Sequence, residues 1–146
     1  MEDIQADTNI ILRSVQPAHP HYQTAVNAVK HFLANGDRVC LIPQNLIEFW
    51  NVATRPIDKN GLGWTPAKTD AEISRLESML TVLPDVQGIY QEWRKLVLRH
   101  SVIGKQVHDT RIVAAMNVHQ ITKLITFNAK DFKRFQNITL IDPLNF

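Results

Sequence analysis

At 146 residues, with 45 % apolar and 21 % charged side chains, the chain has the composition of one globular domain over residues 1–146, which excludes a disordered polymer. No apolar run approaches the roughly 18 residues of a membrane span, and the polar, acidic start Met1–Asn9 does not read as a secretory signal. The net charge of +2 permits a polyanionic partner without requiring one. Cys40 is the only cysteine. That excludes an internal disulfide and a zinc site built on several cysteines, and with no export signal it implies a cytoplasmic protein.

Short apolar runs alternate with helical patterns along the chain. Residues 3–7 read as a first strand, carried by Ile4 and Ala6, and a helix starts near Ile10. After the turn at 17–20, apolar residues Tyr22, Val26, Val29 and Leu33 step by three and four, and Gly36 stands as the C-terminal stop. Val39–Ile42 is a β-rich run in which Cys40 acts as a small buried hydrophobe. Pro43 opens a helix to about Thr54, because a proline at the first helical position loses no hydrogen bond. The stretch 55–64, with Pro56, Asn60, Gly61 and Gly63, is a loop; Thr65-Pro66 caps the next helix, with Ile73, Leu76 and Leu80 inward. Thr81–Leu83 reads as a short strand. Pro84 is expected to begin a helix that buries Val86, Tyr90, Trp93 and Leu96 or Val97. An apolar helix from about Lys105 to His119, a strand at 123–127, a short helical turn at 128–135 and a strand at 138–141 complete the pattern.

Strands separated by helices imply right-handed βαβ units, hence an α/β fold of three layers, α/β/α, around a mostly parallel central sheet. The working site of such a sheet lies outside the carboxyl ends of its strands. Four carboxylates fall near that end or on buried helix faces. Asp7 closes the first strand, Glu48 lies in Leu46–Trp50, Asp109 shares a face with Ile112, Val113 and Met116, and Asp131 follows the strand at 123–127 by four residues. Each has a structural alternative: Asp7 as a helix N-cap, Glu48 paired with Arg55 or Arg111, Asp109 held by its helix N-terminus, Asp131 as the cap of a short helix. Gathered at one sheet edge, the four acids repel: two unit charges 4 Å apart cost about 4 kcal/mol at an effective dielectric of 20. Such a group raises its own pKa values or recruits a cation. With only oxygen ligands, the cation is a hard one, Mg²⁺ or Mn²⁺, of the kind that polarises a phosphodiester and activates water.

Asp7-Thr8-Asn9, Asn45–Val52, His108–Met116 and Leu124–Phe132, in that order and spacing, resemble the PIN-domain family, nearly the whole chain being covered. The resemblance implies a metal-dependent ribonuclease most like the VapC-type toxins: a homodimer acting on RNA and held inactive by a cognate antitoxin protein. By matching position it implies Asp7, Glu48 and Asp109 as acidic ligands, with Asp131 or Asn128 in the fourth place. Thr8, Asn9 and Thr126 would orient the carboxylates. The family usually runs larger apolar residues into the first aspartate than Asp3-Ile4-Gln5-Ala6.

Basic residues cluster at 94–111 and 123–134; of these Lys105, Arg111 and Lys130, with Arg55 in the loop, are the candidates for RNA phosphates, against a reading as solvated helix faces. His108 reads as a surface residue or one that orients a neighbouring ligand rather than as a substrate contact, and Trp64 as a loop side chain packed on its neighbouring helix rather than a base-stacking platform. Gly104-Lys105 has no phosphate-loop context, and Gly61-Leu62-Gly63 no dinucleotide fingerprint. A receiver-like signalling domain fits the size, but no aspartate ends a middle strand and no lysine a later one. A PIN fold without catalysis, binding RNA or protein, is the other reading; the intact acidic positions argue against it.

Overall fold

The structure, a computed structural model, describes residues 1–146. In chain order its elements are β1 (Asp3–Ala6), α1 (Thr8–Arg13), α2 (Tyr22–Ala34), β2 (Arg38–Leu41), α3 (Pro43–Thr54), α4 (Pro66–Met79), β3 (Thr81–Val82), α5 (Ile89–Arg99), α6 (Gln106–Val118), β4 (Lys123–Ile125) and β5 (Thr139–Ile141). The five strands form one sheet in the order β3-β2-β1-β4-β5, and every pairing is parallel. Because the crossover from β3 returns to the other side of β1, the order reverses between β1 and β4. The carboxyl ends of those two strands therefore border the crevice where such sheets bind ligands.

Alternation along the strands builds two cores. Ile4, Ala6, Val39, Leu41 and Ile125 face a cluster under α1–α4, whereas Cys40, Ile42 and Leu124 face α5 and α6. The sheet is thus covered on both faces, as an all-parallel sheet requires. The short β1 lies at its centre: register pairs Gln5 with Cys40 on one side and with Leu124 on the other. Two neighbours compensate for its thin apolar content. Burial pushes the Cys40 thiol up to about 11, in keeping with a packing role.

Helix α3 has the expected bounds, Pro43 standing at its first position. Two expectations are corrected. Pro84 does not start α5; the helix begins after Gly88, whose φ of 102° lies in the left-handed region that favours glycine. With the start displaced, Val86 and Tyr90 are exposed, and Ile89 and Leu96 are the buried residues of α5. On α2, the fully buried positions are Ala25 and Ala28, which let the helix sit close to the sheet, while Tyr22, Val26, Val29 and Leu33 are half-buried beside them. Trp64 packs edge-on against Phe49, the ring centroids 6.1 Å apart. No helix is long and apolar enough to cross a membrane.

Candidate metal centre

Asp7 ends β1 and caps α1 in the same stroke. Its Oδ1 accepts the Thr8 N–H at 2.8 Å, and its Oδ2 accepts the hydroxyl of Thr126, just past β4, at 2.8 Å. The backbone N–H of Asp7 donates to Ile125 O at 3.0 Å. The capping role and the site role are therefore one geometry, since the strand turns directly into the helix that the carboxylate caps.

Glu48 arrives from α3, one turn beyond its N-terminus. Thr8 Oγ1 donates to Glu48 Oε1 at 2.7 Å and accepts from Asn45 Nδ2 at 3.0 Å. Asn45, fully buried, accepts at its Oδ1 from the Ile42 N–H at 2.9 Å and from Gln5 Nε2 at 3.0 Å. One amide thus ties the ends of β1 and β2 to the helix that carries the acid. Gln44, a turn before Glu48, donates to His108 O at 2.7 Å and accepts from Arg111 Nη1 at 3.2 Å. Those two bonds link α3 to α6. Neither Arg55 nor Arg111 pairs with Glu48; Arg111 instead meets Asp85 at 3.2 Å.

Asp109 enters in the first turn of α6, above Ile112, Val113 and Met116, all fully buried. Its carboxyl is raised to about 7, first by burial and then by the charges of Asp7, Asp131 and Glu48, with Lys105 opposing. Asp7 is raised to about 6, chiefly by burial, with Glu48 and Asp131 adding repulsion and its two hydrogen bonds working the other way. This mutual repulsion reflects the closeness of the four acids at one end of the sheet.

Asp131 lies within a 3-10 turn, 129–132, rather than at its cap; the capping position is Asn128, whose side chain makes no cap bond. The reading of Asp131 as a helix cap is therefore overturned. Asn128 is exposed and contributes its backbone N–H to Thr126 Oγ1 at 2.9 Å. Asn9 reaches Thr126 Oγ1 at 3.4 Å, so Thr126 is the hub joining α1, β4 and the turn that follows.

Of the basic candidates, Lys105 stands close enough to lower the Asp109 pKa, Lys130 adjoins Asp131 in the 3-10 turn, and Arg111 joins through Gln44. Arg55 is not brought to the site. It sits past the far end of α3 and donates to Asn60 O within its own loop at 3.2 Å, where a Cβ on Gly61 would meet Arg55 O at 1.9 Å. His108 is exposed, as expected. Gln5, Gln44 and Asn45 were not anticipated; a buried amide in a strand or helix leaves no periodic trace, and only the Asn45–Glu48 spacing of one helical turn hinted at the last.

No three of the acids close into a ready-made cage. The donor set is nonetheless all oxygen, and two of its carboxyls are held well above the ordinary carboxylate range. An open cluster of that chemistry fits Mg²⁺, which keeps several waters and takes only one or two protein carboxylates directly.

Comparison with known proteins shows the family and the fold. The PIN domain family profile matches residues 4–138, and the chain belongs to that family. It is similar to Ribonuclease VapC48 of Mycobacterium tuberculosis, 24 % identical over 145 residues that cover 95 % of this chain and 96 % of the relative. Its fold is that of VapBC2 from Rickettsia felis bound to a promoter DNA fragment (TM-score 0.70, 19 % identity, 96 % of this chain and 98 % of that one). DNA-bound VapBC from Salmonella typhimurium is equally similar (TM-score 0.68, 21 % identity, 98 % and 99 %). So is Mycobacterium tuberculosis VapC20, a sarcin-ricin loop cleaving toxin (TM-score 0.66, 18 % identity, 90 % and 95 %).

Proposed function

We propose that this chain is a single-domain endoribonuclease dependent on Mg²⁺ or Mn²⁺, the cytoplasmic toxin of a toxin–antitoxin pair, acting as a homodimer. Membership of the PIN domain family and similarity along the chain to a ribonuclease support the activity. The likeness to complexes of toxin with antitoxin supports the partner. The observation that carries the reading is the convergence of Asp7, Glu48, Asp109 and Asp131, two of them with raised pKa values, at the carboxyl ends of β1 and β4.

Asp7, Glu48 and Asp109 would hold the cation, one or two of them directly and the rest through its waters, with Asp131 as the acidic fourth member. When bound, Mg²⁺ or Mn²⁺ supplies Lewis-acid polarisation of the phosphodiester and eases ionisation of the attacking water. The protein's own contribution is orientation. Thr126 and the Thr8 N–H fix both oxygens of Asp7, and the Thr8 hydroxyl fixes Glu48. Asp131 is the group suited to accept a proton from the attacking water, whereas the Asn128 amide cannot act as a base. Lys105, Arg111 and Lys130 meet neighbouring phosphates; Arg55, held in its loop, is left out of that set.

The test is cleavage of single-stranded or loop RNA by purified protein. Mg²⁺ or Mn²⁺ should support cutting and EDTA should stop it, and Asp131→Asn should lose far more activity than Asn128→Ala. Equal activity in EDTA overturns the metal mechanism, and the reverse order of the two variants moves the fourth role to Asn128.

A further inference from the structure

Beside the acidic cluster, on the far side of Thr126, lies an open cleft of about 460 Å³. Asn9, Thr126 and Asn128 form its inner wall, and Thr126 is the residue whose hydroxyl holds Asp7. Whatever occupies the cleft is therefore next to the candidate metal centre. The outer wall is aromatic. His21 stacks on Phe127 with ring centroids 4.8 Å apart and planes 25° apart, and His19 follows at 5.7 Å.

Three features suit this wall to a ligand rather than to packing alone. His21 is exposed although Phe127 stacks against its ring, so part of the imidazole faces solvent at the cleft. His19 Nδ1 accepts the His21 backbone N–H at 3.0 Å, which leaves Nε2 as its N–H donor. Arg13, also lining the cleft, bonds only the neutral Gln16 and has no carboxylate partner. Opposite stands Asp142, one oxygen of which accepts the Leu144 N–H while the other is free. A flat aromatic face, a cation and a carboxylate acceptor around one cleft are the elements by which proteins hold an unpaired base.

The geometry points to a base subsite: the cleft takes one unstacked nucleobase of single-stranded RNA, flanking the scissile phosphate, with the base against the exposed His21 ring and its phosphate on Arg13. Asp142 accepts an N–H from the base edge. The inference rests on the ribonuclease reading above, and binding measured without cleavage separates the two.

The probe is a short oligoribonucleotide that the wild-type protein cuts, with 2-aminopurine or an abasic nucleotide placed on either side of the mapped cut. Fluorescence and anisotropy are read in EDTA. One 2-aminopurine position should be quenched on binding wild-type protein. His21→Ala should abolish the quenching and raise Kd about tenfold, and His21→Phe, which keeps an aromatic face, should restore both. The abasic oligonucleotide should bind wild type and His21→Ala alike. Unquenched fluorescence at both positions, or equal Kd for wild type and His21→Ala, overturns the subsite. If that happens while wild type still cuts with Mg²⁺, the subsite alone falls; if wild type cuts no RNA with any divalent ion, the ribonuclease reading falls and the subsite with it.

Discussion

At neutral pH the folded protein holds Asp109 against its own preference, because burial and three neighbouring acids favour the protonated form. The linkage has a definite sign. A carboxyl near 3.9 in the unfolded chain and about 7 in the folded one destabilises the metal-free fold above pH 7. That cost is full above pH 7 and shrinks as pH falls from 7 towards 3.9, with roughly a third of it left at pH 5; Asp7, raised to about 6, adds in the same direction. Asp109→Asn should therefore stabilise the metal-free protein at pH 8 by about 1 kcal/mol, after allowance for solvent screening of a half-buried group. That corresponds to a gain of about 2–4 °C in Tm. Calorimetry at pH 8 and pH 5 in EDTA should show the full gain at the first and roughly a third of it at the second. A lower Tm at pH 8 would mean that Asp109 holds the fold together.

Among the elements, α3 depends most on a single buried side chain. Asn45 satisfies the Ile42 N–H at the helix start, a Gln5 amide from β1 and the hydroxyl that holds Glu48. Asn45→Ala leaves several of these groups unpaired and should cost about 2–4 kcal/mol, whereas Asn51→Ala, exposed on the same helix, should stay within about 0.5 kcal/mol. Urea unfolding of the two variants distinguishes them; equal midpoints would contradict the role of Asn45. The elements that can be read from the chain are those with local chemistry: Pro43 at the first turn of α3, Thr65 accepting from Lys68 N at 3.1 Å to cap α4, the apolar run Val39–Leu41 of β2. The acids at the carboxyl ends follow from the order of strands and helices. The start of α5 does not, because Pro84 and Gly88 are both plausible punctuation and only the backbone twist at Gly88 decides between them. Nor does the Gln5–Asn45–Thr8 chain, whose members lie 40 and 37 residues apart and meet only once β1 and β2 are paired.

For the whole molecule, charge is divided by place rather than by amount. Lys105 and Lys130 stand at the carboxyl-end rim near Asp109 and Asp131, whereas Lys123 is at the opposite end of β4, paired with Glu2. RNA affinity should fall steeply with salt. Reversing Lys105 and Lys130 together should flatten the slope of log K against log salt by roughly 1.4, about 0.7 for each lost phosphate contact on a single strand. Lys123→Gln should leave that slope unchanged. Titrations at several salt concentrations in EDTA measure all three, and a slope insensitive to the double reversal would remove these lysines from the binding surface.

The place of β1 in the sheet also has a consequence in time. Asp7 leaves the ribosome well before the residue whose hydroxyl fixes its second oxygen, Thr126, which lies 119 residues later. At translation speeds of about 5–20 residues per second, that gap is roughly 6 to 24 seconds. Throughout it, the strand destined for the middle of the sheet has one open side, and the acid at its tip lacks its anchor. If the proposed activity holds, a chain that has not yet made β4 should not cut RNA, and a fragment ending before β4 should be inactive in the same cleavage assay.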